Sequence, residues 1–528
     1  MAGPVHYDDL PMNWVGDWAG RRAALTPQRV AIYEAATDTR YTYADMNARA
    51  NQVGTYLVDG LGLEKGDRVC ILTRNRIEAI DLYLACGKTG VILAPLSFRL
   101  TKRELDDLLQ RIRPRALFYE DVFAELAQSL SLPDCVEETV QIADGDSEYQ
   151  AAVAAVEARD VNRELSLNDP YLYIHTGGTT ATPKVCVVPH RQMLWNSVDI
   201  VISASGALGE ARELLTFPLF HIGGWNTFTP LFHSGGYQVL MRIFDPGTLL
   251  ELVEREQITH FGAVEAMLYY IAEHPAFQAA KLDSLKSITS AGAPCAPPAM
   301  RPFWERGIAV TQSYGLTEAG PSNFAYGAID HSLDEVWKHN ASIGTSFFHT
   351  DYKIVDPETR EPVKRGDIGV LCMRSLHNFQ EYLDQPDRTE QVFMEGGWVY
   401  SSDLAREDAE GYVYIVGRAD NMFISGGENV SPEEVEGVLE EHPSVAQAAV
   451  IGVPDQRWGE VPMAVLVLNN GYSLDEEALT RYCRGVLAGF KVPKRYAVVD
   501  DLPLTGASKL DRKALRARFA QVGESGTA

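Results

Sequence analysis

The stretch Tyr173–His190 reads YIHTGGTTATPKVCVVPH and places a loop rich in Gly and Thr between two apolar segments. The flanking segments, YLYI at 171–174 and VCVVP at 185–189, have the composition of strands. We therefore predict that the loop Thr176–Lys184 joins two strands. A Walker-type phosphate loop instead joins a strand to a helix and places Lys directly after Gly, whereas the lysine here follows a proline.

The same loop carries groups that bind phosphate. Glycine lets backbone N–H groups approach an anion, threonine hydroxyls add donors, and the lysine adds positive charge. These residues are Thr176, Gly177, Gly178, Thr179, Thr180 and Lys184. A polar surface hairpin is the alternative interpretation of this stretch taken alone.

Length and net charge limit the classes of protein to which this chain can belong. A chain of 528 residues is too long to fold around one hydrophobic core, so we expect at least two domains. The net charge of 47 − 72 = −25 argues against binding nucleic acid without sequence preference and against docking on anionic lipid. No apolar run is long enough to span a membrane, and no signal peptide is visible. Seven scattered cysteines without a C-x-x-C pair indicate reduced thiols in a cytoplasmic protein.

Strand and helix patterns alternate along the first part of the chain, which predicts an α/β fold with parallel strands. Thr42 with Asp45, and Thr101 with Glu104, have the spacing of capping boxes that begin helices. The pattern at 76–90 predicts a helix that ends at glycine.

Two changes of pattern divide the rest of the chain. From about 345 to 418, short alternating strands with Gly and Asp turns predict a β-rich unit. After Arg418 the pattern predicts a compact α+β module, with a helix that Ser431 caps, Pro432 opens and Glu434 completes as a capping box. The final residues, 523–528, are predicted to form a loose tail.

Motifs in a fixed order resemble those of the adenylate-forming superfamily, which includes acyl-CoA synthetases, aryl-CoA ligases, luciferases and adenylation domains of peptide synthetases. The loop at 176–186 resembles that family's T-S-G-T-T-G-x-P-K-G-V, although Gly177 replaces Ser, and Ala181 and Val185 stand where glycine is usual. In the long signature at 397–436, Ser401-Ser402-Asp403 replaces Thr-Gly-Asp. The other matching segments are PLFHIGG (218–224), SAGAP (290–294), QSYGLTEAG (312–320) and PLTGASKLDR (503–512).

The resemblance implies a large N-terminal body of stacked mixed sheets with helices, residues 1–418, whose β-rich part covers about 345–418. A hinge at 419–420, with Asp420, would join it to a small mobile C-terminal α+β lid, residues 421–528. In the family the lid rotates between an adenylating pose and a thioester-forming pose.

The resemblance also assigns roles to single residues. Lys509 would bridge the acid's carboxylate and the α-phosphate; Glu318, with Thr179, would hold Mg²⁺; Thr317 and His221 would complete the catalytic set. Asp403 would accept hydrogen bonds from both ribose hydroxyls, and Arg418 would support it. The residues that would bind ATP or AMP are Thr176, Gly177, Gly178, Thr179, Thr180, Lys184, Gly292, Ala293, Pro294, Ser313, Tyr314, Gly315, Leu316, Thr317, Asp403, Arg418 and Lys509.

Two further sets concern the acid and CoA. The acid pocket would be lined by His221, Gly223, Trp225, Asn226, Phe228, Ala291, Gly292, Gly315 and Leu316. This set contains no Arg or Lys for a second acid group, which favours a monocarboxylate with an apolar body: a fatty, aromatic or bulky natural-product acid. CoA would contact Gly426, Gly427, Glu428, Trp458, Phe490 and Lys494.

The sequence thus predicts an ATP-dependent acyl-CoA synthetase that forms acyl-AMP and pyrophosphate, and then acyl-CoA and AMP. The alternatives are an acyl-AMP ligase that loads a carrier protein, a luciferase-like oxidation of the adenylate, and a non-catalytic binder of nucleotide or acid. Mg²⁺, ATP and CoA are the expected cofactor and substrates, and a homodimer is one oligomeric state that the sequence leaves open.

Overall fold

The protein is described from a computed structural model that covers residues 6–176, 184–203, 207–326, 332–419, 421–425, 428–455, 458–487, 489–504 and 510–519. The chain folds into two compact units. One contains Met1–Cys295, Ala299–Asp351 and Met373–Val399; the other contains Ala296–Pro298, Tyr352–Cys372 and Tyr400–Ala528. The predicted boundary at 419–420 stays a prediction.

The helices up to residue 400 are α1 (Trp18–Leu25), α2 (Tyr43–Thr55), α3 (Ile77–Thr89), α4 (Lys102–Ile112), α5 (Ala124–Ser129), α6 (Glu148–Ala154), α7 (His190–Ser203), α8 (Ile222–Ser234), α9 (Pro246–Glu256), α10 (Glu265–Glu273), α11 (Pro297–Trp304), α12 (Leu333–Lys338) and α13 (Pro386–Val392). Those after it are α14 (Pro432–Glu440), α15 (Glu476–Arg484) and α16 (Arg512–Phe519). Short 3₁₀ segments occur at Tyr7–Asp9, Asp121–Phe123 and Ala207–Glu210, and a π-helical turn at Tyr56–Gly60.

The strands of the first half are β1 (Val30–Glu34), β2 (Thr39–Thr42), β3 (Arg68–Leu72), β4 (Ile92–Pro95), β5 (Ala116–Glu120), β6 (Glu138–Ile142), β7 (Pro170–Thr176), β8 (Lys184–Pro189), β9 (Arg212–Leu215), β10 (Tyr237–Leu240), β11 (His260–Ala263) and β12 (Ser287–Ser290). Those of the second half are β13 (Ala309–Leu316), β14 (Gly320–Ala325), β15 (Thr345–Ser346), β16 (Asp351–Val355), β17 (Gly369–Arg374), β18 (Glu381–Tyr382), β19 (Phe393–Met394), β20 (Trp398–Glu407), β21 (Val413–Arg418), β22 (Phe423–Ser425), β23 (Glu428–Val430), β24 (Val445–Asp455), β25 (Gly459–Leu468) and β26 (Arg495–Val498).

Two mixed sheets form the first unit. One has the order β15-β14-β13-β12-β11-β9-β10-β1-β2 and the other the order β18-β8-β7-β4-β3-β5-β6. The inner strands pair in parallel, whereas the pairs β1–β2, β13–β14, β14–β15, β7–β8 and β8–β18 are antiparallel. Every residue of α3 is buried, including Asp81 and Lys88, which pair with Arg49 and Asp17. These sheets confirm the predicted α/β class.

Smaller sheets follow. One has the order β16-β17-β20-β19 with β21 beside β20, and the C-terminal one has the order β23-β22-β25-β24 with β26 beside β25. In the C-terminal sheet, α14 and α15 cover a core that includes Val435, Leu439 and Leu479. Val435 and Leu439 lie on α14, the helix that the sequence predicts after Ser431.

The cap predictions have different outcomes. Thr42 with Asp45 and Thr101 with Glu104 both form reciprocal capping boxes, and α3 ends at Gly90, whose φ of 72° is left-handed. Ser431 stands at the N-cap of α14, yet it makes no side-chain cap bond there. Its hydroxyl donates instead to the carbonyl of Val416 at 2.6 Å, so the prediction of a Ser431 capping box was wrong.

Candidate active site

The strands on either side of the Gly/Thr loop form an antiparallel hairpin, as predicted. Thr176 ends β7 and lies opposite Lys184, which opens β8. The loop residues Gly177, Gly178, Thr179 and Thr180 lie outside the described residues, so their phosphate contacts stay a prediction. The hairpin fixes the position of Lys184 at one end of that loop.

Glu318 lies in the tight connection between β13 and β14 and is held at two points. Its backbone carbonyl accepts a hydrogen bond from the Phe379 amide at 2.9 Å, and its carboxylate Oε1 accepts one from the Tyr382 hydroxyl at 2.6 Å. The preceding residue, Thr317, is buried, and its carbonyl accepts from the Gln192 side chain at 2.6 Å. The predicted metal ligand is therefore placed by Phe379, Tyr382 and Gln192, which belong to none of the sequence motifs.

A polar stripe on α7 contacts this connection, the strand after it and the segment near His377. Gln192, Asn196 and Asp199 recur every three or four residues and are all buried. The Asn196 amide donates to the Ser322 carbonyl at 2.6 Å, and Asp199 accepts from Nε2 of His377 at 3.1 Å. Burial raises the pKa of Asp199, but the hydrogen bonds from its histidine partners outweigh burial and keep that pKa below its usual range.

Other predicted nucleotide-binding residues follow β12 and end β13. Gly292, Ala293 and Pro294 are exposed, and Gly292 has a φ of 88°. Ser313, Tyr314, Gly315 and Leu316 form the end of β13. A Cβ added at Gly315 would lie 2.4 Å from the Pro321 carbonyl oxygen, so glycine is required for the close approach of β13 to β14.

The residues of the predicted acid pocket that belong to α8 divide between its two faces. Trp225 and Phe228 have an exposed fraction of 0%, and Trp225 stacks on Tyr83 with ring centroids 4.3 Å apart. Gly223 and Asn226 are partly exposed on the other side, where the Asn226 amide donates to the Ser322 hydroxyl at 2.9 Å. The accessible face of this helix is thus formed by its small and polar residues, and the two large aromatic rings belong to the core.

Two histidines lie near the start of α8. His221 is exposed at the N-cap, where its Nδ1 accepts from the Gly223 amide at 3.1 Å. His175 lies directly before the Gly/Thr loop, and its Nε2 accepts from the Ser97 amide at 3.1 Å. Burial, with a smaller contribution from nearby His221, lowers the pKa of His175 to about 4, so this ring is neutral at pH 7. Ala291 directly follows β12 and is partly exposed.

Asp403 and Arg418 face each other on β20 and β21 and form the predicted pair. Arg418 donates to Asp403 Oδ1 at 3.0 Å, and the Asp403 amide donates to the Ser401 hydroxyl at 2.9 Å. Asp403 is 7% exposed, whereas the Arg418 side chain is 44% exposed. Directly before Asp403 in the chain, Ser402 has a φ of 62°, which is the left-handed region that favours glycine.

The predicted CoA residues lie in the C-terminal part. Trp458 is 45% exposed, Phe490 packs on the core beside Leu487, and Lys494 donates to the Gly489 carbonyl at 3.3 Å. Glu428 begins β23, and its side chain is outside the description. Gly426, Gly427, Asp420 and Lys509 lie outside the described residues, so their predicted roles stay predictions.

Comparison with known proteins identifies the family. The AMP-binding enzyme model matches residues 20–383, and the model for the AMP-binding enzyme C-terminal domain matches residues 434–509. The chain belongs to the AMP-binding enzyme family. This membership confirms the resemblance to adenylate-forming enzymes.

Relatives and solved structures agree with this family. A feruloyl-CoA synthase of Amycolatopsis sp. is 34% identical over 506 residues, which cover 96% of this chain and 99% of the relative. ATP-bound MatB from Rhodopseudomonas palustris has a TM-score of 0.87 at 26% identity, covering 96% of this chain and 99% of that one. The o-succinylbenzoate CoA synthetase from Bacillus subtilis, solved with its acyl-adenylate intermediate, has a TM-score of 0.81 at 28% identity and covers 95% and 98%.

The predicted enzyme class is confirmed by these matches: the protein is an AMP-forming acid–thiol ligase that makes acyl-CoA through acyl-AMP. ATP and CoA fit the family as substrates. No helix within the described ranges is both long and apolar enough to cross a membrane.

Proposed function

We propose that the protein activates an aromatic monocarboxylic acid with MgATP and transfers the acyl group to CoA. The observation that carries the choice of acid is the likeness to a feruloyl-CoA synthase along nearly the whole chain. The accessible face of α8 supports it, because Gly223 presents no side chain there and Asn226 adds a polar group without charge. A planar acid with a hydroxyl or methoxy substituent suits such a surface.

The first half-reaction joins the acid to the α-phosphate. A carboxylate oxygen of the acid forms a bond to the α-phosphorus of ATP. The bond between the α-phosphorus and the oxygen that bridges it to the β-phosphate breaks, so that pyrophosphate leaves. Because both reactants are anions, the protein mainly supplies position and positive charge. Lys184 supplies charge beside the phosphate loop, Asp403 with Arg418 would hold the ribose, and Lys509 would bridge the carboxylate and the α-phosphate.

Mg²⁺ fits the residues around Glu318. Mg²⁺ prefers oxygen ligands and is commonly bound through one or two carboxylates together with substrate phosphates. Among the described residues no group of three metal-ligating side chains occurs, so Mg²⁺ at Glu318 would take its other ligands from ATP, water and the predicted Thr179 hydroxyl. When bound, the ion would neutralise charge on the leaving pyrophosphate.

The second half-reaction moves the acyl group to sulfur. The CoA thiol attacks the acyl carbonyl, the tetrahedral intermediate collapses, and AMP leaves with the electron pair of the broken C–O bond. Trp458, Phe490 and Lys494 are the described candidates for contact with CoA, and Gly426, Gly427 and Glu428 complete the proposed set. A cytoplasmic location and a homodimer stay predictions.

The test is pyrophosphate release across a panel of aromatic and fatty acids, with CoA and with a carrier protein as acceptors. We expect release with hydroxycinnamic acids above fatty acids, together with acyl-CoA when CoA is supplied. Preference for a fatty acid would overturn the choice of acid. Acyl transfer to the carrier and not to CoA would favour the carrier-loading alternative, and nucleotide binding without release would favour a binder.

A further inference from the structure

Tyr382 is a buried residue that contacts two predicted site residues at once. It lies in β18, which pairs antiparallel with β8 so that Tyr382 is opposite Cys186. Its hydroxyl donates to Glu318 Oε1 at 2.6 Å. The same short segment also binds the Glu318 backbone through the Phe379 amide. Glu318 is therefore held at its main chain and at its carboxylate by residues 379–382.

The ring of Tyr382 faces the other predicted group. The Lys184 ammonium lies 4.8 Å from the ring centroid, within the range of a cation–π contact. Tyr382 is only 2% exposed, and its ring packs edge-on against Phe379 with centroids 5.0 Å apart. A ring fixed in this way gives both contacts a defined geometry.

The kind of contact matters for a carboxylate that must accept a cation. An arginine partner would neutralise the charge, as Arg74 does for Glu120 and Arg49 does for Asp81 in this same unit. A neutral phenol donates one hydrogen bond and leaves the negative charge in place. Of the described residues, none forms a salt bridge with Glu318, so its second carboxylate oxygen is left for another ligand.

We propose that Tyr382 is a positioning residue of adenylation: its hydroxyl orients the Glu318 carboxylate toward the Mg²⁺ of MgATP, and its ring seats the Lys184 ammonium beside the phosphate loop. The proposal rests on the proposed function, because it takes MgATP as the nucleotide. Tyr382 would act through Glu318 and Lys184, without touching the substrate or the reacting atoms.

The test is Tyr382→Phe, which removes the hydroxyl and keeps the ring. Calorimetry measures binding of MgATP, and of AMP without metal, to the full chain. Hydrogen bonds to charged groups are among the stronger ones, so we expect MgATP affinity to fall about tenfold. AMP affinity should stay unchanged because AMP lacks the phosphates that carry Mg²⁺, and the Mg²⁺ concentration for half-maximal adenylation should rise.

Tyr43→Phe is the matched control. Tyr43 is also buried, and its hydroxyl donates to the Gly236 carbonyl at 2.7 Å, away from Glu318. We expect this variant to bind MgATP like the wild type, which would show that loss of a buried tyrosine hydroxyl is not sufficient to weaken binding.

Two results would overturn the proposal. Unchanged MgATP affinity in Tyr382→Phe would show that the hydroxyl does not orient Glu318, and an equal loss of MgATP and AMP affinity would show a general structural role. The proposed function fails in a different way, if the wild type binds MgATP but releases no pyrophosphate with any acid. In that case the calorimetric comparison would still decide the role of Tyr382.

Discussion

Ser402 occupies a backbone conformation that serine adopts at a cost. Its φ of 62° is left-handed, and it stands where the family signature has glycine, directly before Asp403, the predicted ribose ligand. Because glycine adopts this conformation without a Cβ clash, we expect Ser402→Gly to raise the free energy of unfolding by about 0.5–1 kcal/mol. Urea denaturation of the variant and the wild type measures this difference in the free energy of unfolding. Ser401→Gly is the control and should destabilise, since it removes the acceptor of the Asp403 amide; a lower stability in Ser402→Gly would refute the backbone argument.

His190 makes stability depend on pH. It is fully buried, stacks on Tyr171 with centroids 4.4 Å apart, and has no hydrogen-bond partner for either nitrogen among the described residues. Burial lowers the pKa of His190 to about 3, whereas an unfolded histidine has a pKa of about 6.5. The unfolded chain therefore binds the extra proton first, and stability is lost as pH falls below about 6.5.

His190→Phe should remove this part of the pH dependence. At about 1.4 kcal/mol per pH unit, His190 accounts for a loss of about 2 kcal/mol between pH 6.5 and 5. Denaturant unfolding at both pH values measures the difference for the wild type and the variant. Because other histidines, such as His175, also have pKa values lowered by desolvation, the variant should keep a shallower slope. An identical slope in both proteins would contradict the assignment.

Helix α7 acts at the scale of an element, because Gln192 holds the β13–β14 connection and Asn196 holds the strand after it. Asn196→Leu keeps a similar volume but leaves the buried Ser322 carbonyl without its donor, which should cost about 1–3 kcal/mol of stability. We also expect weaker nucleotide binding, since Ser322 belongs to the strand that follows Glu318. Thermal unfolding and AMP titration measure both effects. Ser203→Ala, at the exposed end of α7, is the control, and equal losses in both variants would contradict this role.

Local signals were sufficient for many elements and for the motifs. Two capping boxes, the glycine stop of α3 and the hairpin of β7 and β8 all form as their sequences predict. Helix α8 was not predicted, because Gly223, Gly224 and Pro230 weaken its local helical signal. Its formation depends on burial of Trp225 and its neighbours against Tyr83, which no local pattern reveals.

Contacts between residues far apart in the sequence are the second limit on what the sequence alone predicts. Gln192 and Tyr382 contact Thr317 and Glu318 across 125 and 64 residues of sequence, and nothing in their own surroundings distinguishes them from other buried polar residues. The Ser431 hydroxyl was misassigned for the same reason, since its partner is a carbonyl of β21. The motif residues could be named from the sequence, but the residues that position them could not.

At the scale of the whole molecule, the two half-reactions should depend on different parts of the chain. Adenylation must overcome repulsion between the acid's carboxylate and the α-phosphate, and Lys509 would supply charge there. Thioester formation starts from acyl-AMP, in which this repulsion has already been overcome. Lys509→Ala should therefore slow acid-dependent pyrophosphate release about 10³-fold and leave conversion of supplied acyl-AMP to acyl-CoA nearly unchanged.

The two half-reactions can be measured separately, with acid and MgATP in one assay and with acyl-AMP and CoA in the other. Lys513→Ala, which removes an exposed lysine of α16 only four residues away, is the matched control and should affect neither. If Lys509→Ala slowed both half-reactions equally, one fixed pose would serve both steps, and the rotation of the C-terminal domain implied by the family would not apply to this chain. A selective loss would instead show that Lys509 acts in adenylation alone, as alternation between two poses requires.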